Sequence, residues 1–203
     1  MPRFNSKLLR WLSWVILACA LFFLASAFYI PAKALLAQQL LQQAWQQTLA
    51  DGEGVRPWPW ADTWPVARLR IPTIAVDQIV LQGAHGHALA FAPGQQHIVS
   101  DDKQTNMTVI SAHRDTHFRS LEQVSYQDVI ELQDTQGVIT RYRVQEIHIV
   151  NAKHTGLNTQ LQGHWLTLVT CYPFNALDNG GPLRYVIFAK AINDCTSQQG
   201  CTV

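Results

Sequence analysis

Three side chains of this chain have the chemistry needed to attack a peptide bond: the thiol of Cys171, the imidazole of His113 and the guanidinium of Arg184. A free thiol, with an ordinary pKa of about 8.5, is mostly protonated at neutral pH, so it needs a nearby imidazole to take its proton. The resulting imidazolium can protonate a leaving amine, and a fixed guanidinium can donate hydrogen bonds to an oxyanion. These residue types favour acyl transfer through a cysteine nucleophile.

All three residues lie at the ends of predicted strands. Leu166–Thr170 is rich in apolar and β-branched residues, and Pro173 cannot continue a sheet ladder, so Cys171 is expected at the strand's rim. His113 directly follows another apolar stretch, and Arg184 opens the last strand, 13 residues after Cys171. A hairpin-like connection would return Arg184 to the cysteine end. Taken alone, each residue also fits a structural role, as a buried thiol, a surface histidine or a solvated arginine.

The composition is that of a globular protein with an appendage. Of 203 residues, 48% are hydrophobic and 14% are charged, and the formal net charge is +1. This length suits one domain plus a short extra segment. The near-neutral charge gives no field that attracts a polyanion, and no Lys/Arg-rich run follows the first ten residues. We therefore expect no nucleic-acid partner.

The appendage is an uncharged apolar run of 22 residues, Trp11–Ala32. As a helix it would extend about 33 Å, which is enough to cross a bilayer core of about 30 Å. Basic residues precede it and only Lys33 follows closely, which predicts a cytoplasmic N-terminus and an exported remainder. A cleaved signal peptide is the alternative, because small residues stand at cleavage-like spacing at 25–27 and 32–34. The length of the run favours a retained anchor.

The four cysteines fit an exported domain. Cys19 lies in the apolar run, and Cys195 and Cys201 lie six residues apart in a polar tail, where a disulfide between them is possible in an oxidising compartment. Cys171 then has no partner among the exported cysteines. A lone thiol of this kind is a candidate reactive group.

A helix and a spacer are predicted between the apolar run and the folded domain. Ala34–Ala50 contains strong helix formers, with Leu41, Trp45 and Leu49 on one face. Residues 54–65 then carry three prolines and three tryptophans. We interpret this segment as an extended spacer or clamp, since disordered segments are poor in aromatic residues.

Eight short strands are predicted beyond the spacer, from β-branched and aromatic residues and the turns between them. The strands are Ala67–Ile71, Val76–Leu81, Thr108–Ala112, Val129–Leu132, Val138–Val144, Glu146–Val150, Leu166–Thr170 and Arg184–Ala191. One or two short helices are expected near His87–Ala92 and Phe118–Val124. The expected fold class is all-β, with the eight strands closed into a barrel that leaves no exposed edge.

At these positions the chain resembles the sortases, which are membrane-anchored cysteine transpeptidases. Thr167-Leu168-Val169-Thr170-Cys171 is similar to the family's TLxTC signature, His113-Arg114-Asp115 to its histidine segment, and Arg184 to its arginine after the cysteine. The resemblance covers residues 67–191. Ala112 departs from the pattern, because many sortases have glycine before the histidine. The site segments look most like those of the proteobacterial branch (class GN-like), which implies a periplasmic domain.

The resemblance implies an eight-stranded sortase barrel that binds the C-terminal LPxTG-like sorting signal of an exported protein. Cys171 would attack the Thr–Gly carbonyl to form a thioester acyl-enzyme, which an amine acceptor would resolve. His113 would be the general acid and base, Arg184 the oxyanion or substrate clamp, and Thr170 a residue that helps to bind the signal. Some sortases use calcium, but Asp101-Asp102 is only a short acidic pair, so we expect no metal and no cofactor.

The predicted layout has five parts. A cytoplasmic N-terminus at 1–10 precedes a transmembrane anchor at 11–32 and a helical, Pro/Trp-rich spacer at 33–65. The catalytic barrel at 66–192 is followed by a C-terminal tail at 193–203. The expected location is the inner (cytoplasmic) membrane, crossed once, with the catalytic domain on the periplasmic side.

Other classes of protein compete with this interpretation. A metal hydrolase would use His113 and His117 as ligands, but the segment before them predicts a strand and lacks a zincin motif. A papain-like hydrolase has its cysteine before its histidine, the reverse of the order here. A cysteine peptidase that resolves the thioester with water and a non-catalytic, membrane-tethered assembly factor remain open alternatives. The sorting signal, the acceptor amine and the oligomeric state are not specified by the sequence.

Overall fold

The computed structural model of the chain describes residues 6–84, 86, 88–99, 105–154, 161, 163–176 and 181–192. The chain divides into two compact units, Met1–Leu40 and Leu41–Val203. One helix, α1, spans Ser6–Asp51 and contains Pro31, where two separate helices had been predicted. Within it, Arg10–Asp51 is long and apolar enough to cross a membrane, judged by length and composition. This helix is therefore a candidate transmembrane span.

The second unit contains a closed eight-stranded β-barrel, which confirms the predicted fold class. The strands are β1 (Pro65–Ile71), β2 (Val76–Gln82), β3 (Gly94–Val99), β4 (Thr105–Ser111), β5 (Val129–Asp134), β6 (Ile139–Asn151), β7 (Gly163–Cys171) and β8 (Leu183–Ala191). Around the barrel their order is β1-β2-β3-β4-β7-β8-β6-β5. Pairs β2–β3 and β4–β7 are parallel, and all other neighbouring pairs are antiparallel.

The number of strands agrees with the prediction, but β6 and β3 do not correspond to the predicted strands. The predicted strands Val138–Val144 and Glu146–Val150 are one strand, β6, whose register shifts between Val144 and Glu146. A bulge of this kind inserts an extra residue and interrupts the alternation of side chains, so the sequence pattern is broken while the strand continues. Strand β3 was not predicted at all, because its buried position Gln95 is polar.

The predicted short helices are single 3-10 turns. Ala88–Ala90 and Arg119–Gln123 fall inside the two predicted ranges, and a third turn, Pro72–Ile74, joins β1 to β2. His87, which began one predicted helix, lies outside the described residues. The acidic pair Asp101-Asp102 and the tail cysteines Cys195 and Cys201 also lie outside them.

The barrel interior is an apolar core to which β7 contributes alternate residues. Leu166 and Leu168 are fully buried in it, as the period of two in a strand requires. Outside the barrel, the end of α1 packs on β2: Leu41 and Trp45, predicted on one helix face, are fully buried. The Pro/Trp-rich segment also packs on this unit, since the ring of Trp58 lies 5.0 Å from that of Phe91.

Candidate active site

The Cys171 and His113 segments meet because β4 and β7 are parallel neighbours. Ser111 and Val169 are the last paired positions, and His113 and Cys171 follow each of them by two residues. The Ala112 N–H donates to the Val169 carbonyl at 3.3 Å, so the pairing continues beyond the ladder. Parallel strands end at the same edge of a sheet. The structure therefore places a partly exposed free thiol and an exposed imidazole at one end of the barrel.

Thr170 ties these two strand ends together. Its hydroxyl donates to the Ala112 carbonyl at 2.9 Å, and its side chain is only 2% exposed. The bond joins the residue before Cys171 to the residue before His113. The predicted contact between Thr170 and a bound peptide stays a prediction, since the hydroxyl is used here in a bond within the protein.

Arg184 lies directly opposite Cys171 on the antiparallel strand β8. Opposed residues in such a pair share a face and have Cβ atoms about 4.5–5.5 Å apart. The predicted return of the last strand to the cysteine end is therefore confirmed. The Arg184 Nη1 donates to the carbonyls of Gly181 at 2.7 Å and Leu183 at 2.9 Å, which directs part of the guanidinium towards its own loop.

A second arginine, Arg114, lies at this end of the barrel, and the sequence reasoning gave it no role. It follows His113 and is 4% exposed. Its Nη1 donates to the Pro173 carbonyl at 2.7 Å, its Nη2 to the Ala176 carbonyl at 3.0 Å, and its Nε to Asp115 at 2.8 Å. The sequence shows only that an Arg-Asp pair directly follows the histidine, and this pair does not distinguish a buried arginine from a solvated one.

The charges around Arg114 reinforce each other. The hydrogen bond with Asp115 is the main cause that raises the pKa of the Arg114 guanidinium, and the negative charge of a Cys171 thiolate raises it further. The same hydrogen bond is the main cause that lowers the pKa of Asp115, with contributions from Arg114, His113 and Arg119 as positive charges. The turn after β4 is therefore an ion-paired segment next to the thiol.

His117, the weaker histidine candidate, lies in a different environment. Burial is the main cause that lowers the pKa of its imidazole, although a hydrogen bond with the Ala90 backbone opposes this shift. The His117 carbonyl accepts from Gln78 Nε2 at 2.9 Å. In the part of the chain that the structure describes, no three His, Cys, Asp or Glu residues are grouped so that they could hold a metal ion.

Three aromatic rings flank the thiol on its C-terminal side. Tyr172 stacks on Tyr185 with ring centroids 6.4 Å apart, and Phe174 meets Tyr185 edge to face at 5.1 Å. Burial is the main cause that raises the pKa of the Tyr185 phenol, followed by the negative charges of Glu122 and Tyr172. These rings contact one another beside the start of the loop that follows Cys171.

The fold and these residues together define a closed β-barrel protein with cysteine, histidine and arginine at the ends of three neighbouring strands. A family model described as the sortase domain matches residues 69–192, which is more than half of the chain. The chain therefore belongs to the sortase family.

Known proteins agree with this assignment. Sortase D of Bacillus subtilis (strain 168) is 30% identical over 125 residues, which cover 61% of this chain and 62% of that protein. The match thus spans less than two thirds of the length of this relative.

Among solved structures, sortase A from Corynebacterium diphtheriae is similar, with a TM-score of 0.56 and 19% identity over 77% of this chain and 84% of that chain. A Clostridium perfringens sortase D5 transpeptidase has a TM-score of 0.57 and 19% identity, covering 77% and 96%. At these identities the structural likeness shows the shared fold.

Proposed function

We propose that this protein is a membrane-anchored cysteine transpeptidase that cleaves a C-terminal LPxTG-like sorting signal and transfers the acyl group to an amine. Membership of the sortase family supports the reaction class. The observation that carries the proposal is the parallel pairing of β4 and β7, which sets Cys171 and His113 at one barrel end, with Arg184 opposite the cysteine.

The first half of the reaction breaks the peptide bond. The His113 imidazole takes the proton of the Cys171 thiol, and the thiolate sulfur attacks the Thr–Gly carbonyl carbon, so that a tetrahedral intermediate with a negatively charged oxygen forms. The His113 imidazolium then gives its proton to the departing glycine nitrogen as the C–N bond breaks. The products are a thioester on Cys171 and a released C-terminal peptide with a free amine.

The second half transfers the acyl group. An acceptor amine attacks the thioester carbon, His113 takes the proton that the amine loses, and the C–S bond breaks to return the thiol or thiolate. The same geometry admits water in place of the amine, which gives hydrolysis. The ratio of amide to acid product measures which acceptor is used.

Arg184 is the proposed donor to the oxyanion or to a substrate carbonyl. Among the described residues, the carbonyls of Gly181 and Leu183 both accept from Nη1, whereas a guanidinium has further N–H donors on Nε and Nη2. A planar donor set of this kind can serve the loop and an oxyanion together. Thr170 is proposed to support the signal-binding edge, directly or through its bond with Ala112.

The test is formation of the acyl-enzyme. The full chain in detergent micelles is incubated with a panel of LPxTG-like peptides and amines, and the mass of the Cys171 peptide is measured. We expect an acyl adduct that Cys171→Ala and His113→Ala each abolish while the fold is retained.

Two variants serve as matched controls for this experiment. Cys19→Ala removes the exposed free cysteine of α1, and His148→Ala removes an exposed histidine of β6, so both should leave the adduct unchanged. Adduct formation in Cys171→Ala or His113→Ala would refute the assigned roles. A protein that forms no adduct with any peptide, and whose Cys171→Ser variant has no phenotype, would be the assembly factor instead.

The location and layout are part of the same proposal. We place 1–10 in the cytoplasm, 11–32 in the inner membrane as a retained anchor, 33–65 as a spacer and 66–192 as the periplasmic catalytic barrel, with a tail at 193–203. The candidate span in α1 and the basic residues before it support this orientation. The proteobacterial, GN-like branch is proposed from the site segments. Protease added outside spheroplasts should digest the barrel, and protection of the barrel would refute the orientation.

A further inference from the structure

The Arg114 guanidinium connects the two segments that carry the proposed nucleophile and base. One end of the connection is the turn after β4, where Arg114 follows His113. The other end is the loop after Cys171, whose carbonyls at Pro173 and Ala176 accept hydrogen bonds of 2.7 and 3.0 Å from Nη1 and Nη2. The two segments are 59 and 62 residues apart in sequence at these bonds. Few other side chains could join them, because a guanidinium presents several donors in one plane.

Burying the Arg114 cation costs free energy unless other groups of the protein compensate for its lost hydration. Arg114 is 4% exposed, and a buried charge loses hydration that only paired charges and hydrogen bonds offset. Asp115 supplies the paired charge, bonding Nε at 2.8 Å and Nη2 at 3.4 Å, while its own side chain remains 55% exposed. The cation is thus held in one place by the Asp115 carboxylate and the two loop carbonyls together.

The thiol lies within the field of this fixed cation. Besides the hydrogen bond with Asp115, the negative charge of a Cys171 thiolate raises the pKa of Arg114, so the guanidinium lies close enough to the sulfur for the two charges to attract each other. Among the described residues, other charged or titratable groups around the pair include Asp115 and His113 from the turn after β4, Arg119 from the 3-10 turn Arg119–Gln123, and Arg184 from β8.

We propose that Arg114 is a positioning residue for acyl transfer: it fixes the loop after Cys171 against the turn that carries His113, and it holds a permanent positive charge beside the sulfur. The inference rests on the proposed function, because it assigns Arg114 a part in the same reaction. The two arginines then have different roles: Arg184 donates to the reacting carbonyl, and Arg114 supports the segment that carries the nucleophile.

The test is the rate at which iodoacetamide alkylates Cys171 in the full chain in detergent micelles, followed by mass analysis of the Cys171 peptide. Only the thiolate reacts, so the rate reports the charge beside the sulfur and needs no sorting signal. All variants are compared at one pH near about 8, close to the ordinary thiol pKa of about 8.5. Arg114→Gln should slow alkylation by about three- to tenfold, because it removes the positive charge beside the sulfur.

Asp115→Asn provides a prediction of opposite sign. It removes a negative charge from the same cluster and leaves Arg114 in place, so alkylation should become faster by about two- to fivefold. Asparagine keeps a side-chain oxygen that can accept the Arg114 Nε–H bond at this 55% exposed position, so the inference is still tested if Arg114→Gln does not fold. Arg68→Gln is the matched control, because it removes an arginine from an ion pair with Asp77 on β2, and its alkylation rate should equal that of the wild type.

Arg114→Lys separates the charge from the geometry. It keeps the positive charge but loses the planar donor set, so alkylation should stay within about twofold while kcat for transpeptidation falls at unchanged KM. The inference is overturned if folded Arg114→Gln is alkylated at the wild-type rate, if Asp115→Asn does not accelerate alkylation, or if Arg114→Lys transpeptidates normally. A wild-type protein that transpeptidates no peptide would refute the proposed function alone, since the alkylation comparison would still stand.

Discussion

Two threonines of β7 allow the contribution of one hydrogen bond near the site to stability to be measured with a pair of matched variants. Thr167 and Thr170 are both buried, at 0% and 2% exposure, in the same strand. The Thr170 hydroxyl donates to the Ala112 carbonyl at 2.9 Å, whereas the Thr167 hydroxyl has no hydrogen-bond partner among the described residues. Valine has nearly the shape of threonine, so neither Thr→Val change opens a cavity. The variants therefore differ only in what the lost hydroxyl was bonded to.

The two variants are expected to change the free energy of unfolding in opposite directions. Thr170→Val leaves the Ala112 carbonyl, on a residue only 6% exposed, without its partner and should destabilise the fold by about 1–3 kcal/mol. Thr167→Val removes an unpartnered buried hydroxyl and should stabilise the fold by about 1 kcal/mol. At about 2–4 °C per kcal/mol for a domain of this size, the two melting temperatures should differ by about 4–16 °C.

The assay is thermal unfolding of the full chain in detergent micelles, followed by near-ultraviolet circular dichroism, which reports packed aromatic side chains. Wild type, Thr167→Val and Thr170→Val are compared at one protein and detergent concentration. Equal shifts in both variants, or a melting temperature of Thr170→Val at or above that of the wild type, would show that the hydroxyl of Thr170 is not what joins β7 to the residue before His113.

Two further predictions concern pH. The hydrogen bond from Arg68 lowers the pKa of Asp77, so the stability that this carboxylate contributes is present above the ordinary carboxyl pKa of about 3.9 and is lost as the pH falls through the folded value. Asp77→Asn should lower the free energy of unfolding by less than about 1 kcal/mol at neutral pH, because the pair is exposed. The urea midpoint of this variant should meet that of the wild type in acid. Burial lowers the pKa of His117, so the unfolded state binds more protons than the folded state as the pH drops below about 6.5, and the stability of the fold decreases. His117→Gln should therefore lose less stability than the wild type between about pH 7.5 and 5.5. An equal loss in both proteins would contradict a buried neutral imidazole.

The parts of the fold that could be predicted from the sequence are those in which burial follows the period of a strand. β7 is an example, because its interior residues are leucines and Pro173 ends the run close to Cys171. β3 could not be predicted in this way. Its buried polar residue Gln95 has its Nε2 2.7 Å from His97 Nε2, and the His97 ring is bonded in turn to Thr108 on β4 at 3.2 Å. A polar strand of this kind is stable only once its neighbour is in place.

The candidate site likewise contains residues that the sequence predicts and a residue that it does not. Cys171, His113 and Arg184 could be proposed from the sequence because each lies at or next to the end of a recognisable strand. Arg114 could not, since a charged residue in a turn is ordinarily solvated and only the folded chain brings the Pro173 carbonyl to it. Residues that act on a substrate are marked by residue type, whereas residues that support them are marked by burial, which the sequence does not show directly.

The order of strands around the barrel explains how the residues proposed for acyl transfer are brought together from distant segments. β4 and β7 are separated by two strands in sequence, yet they are parallel neighbours, so their ends lie at one edge. β8 runs antiparallel to β7 and therefore starts at that edge, opposite Cys171. A slip of one residue between β4 and β7 would turn every side chain of the slipped strand to the other face. The bonds of Ala112 with Val169 and Thr170 lie just past the last paired residues, where such a slip would separate thiol and imidazole.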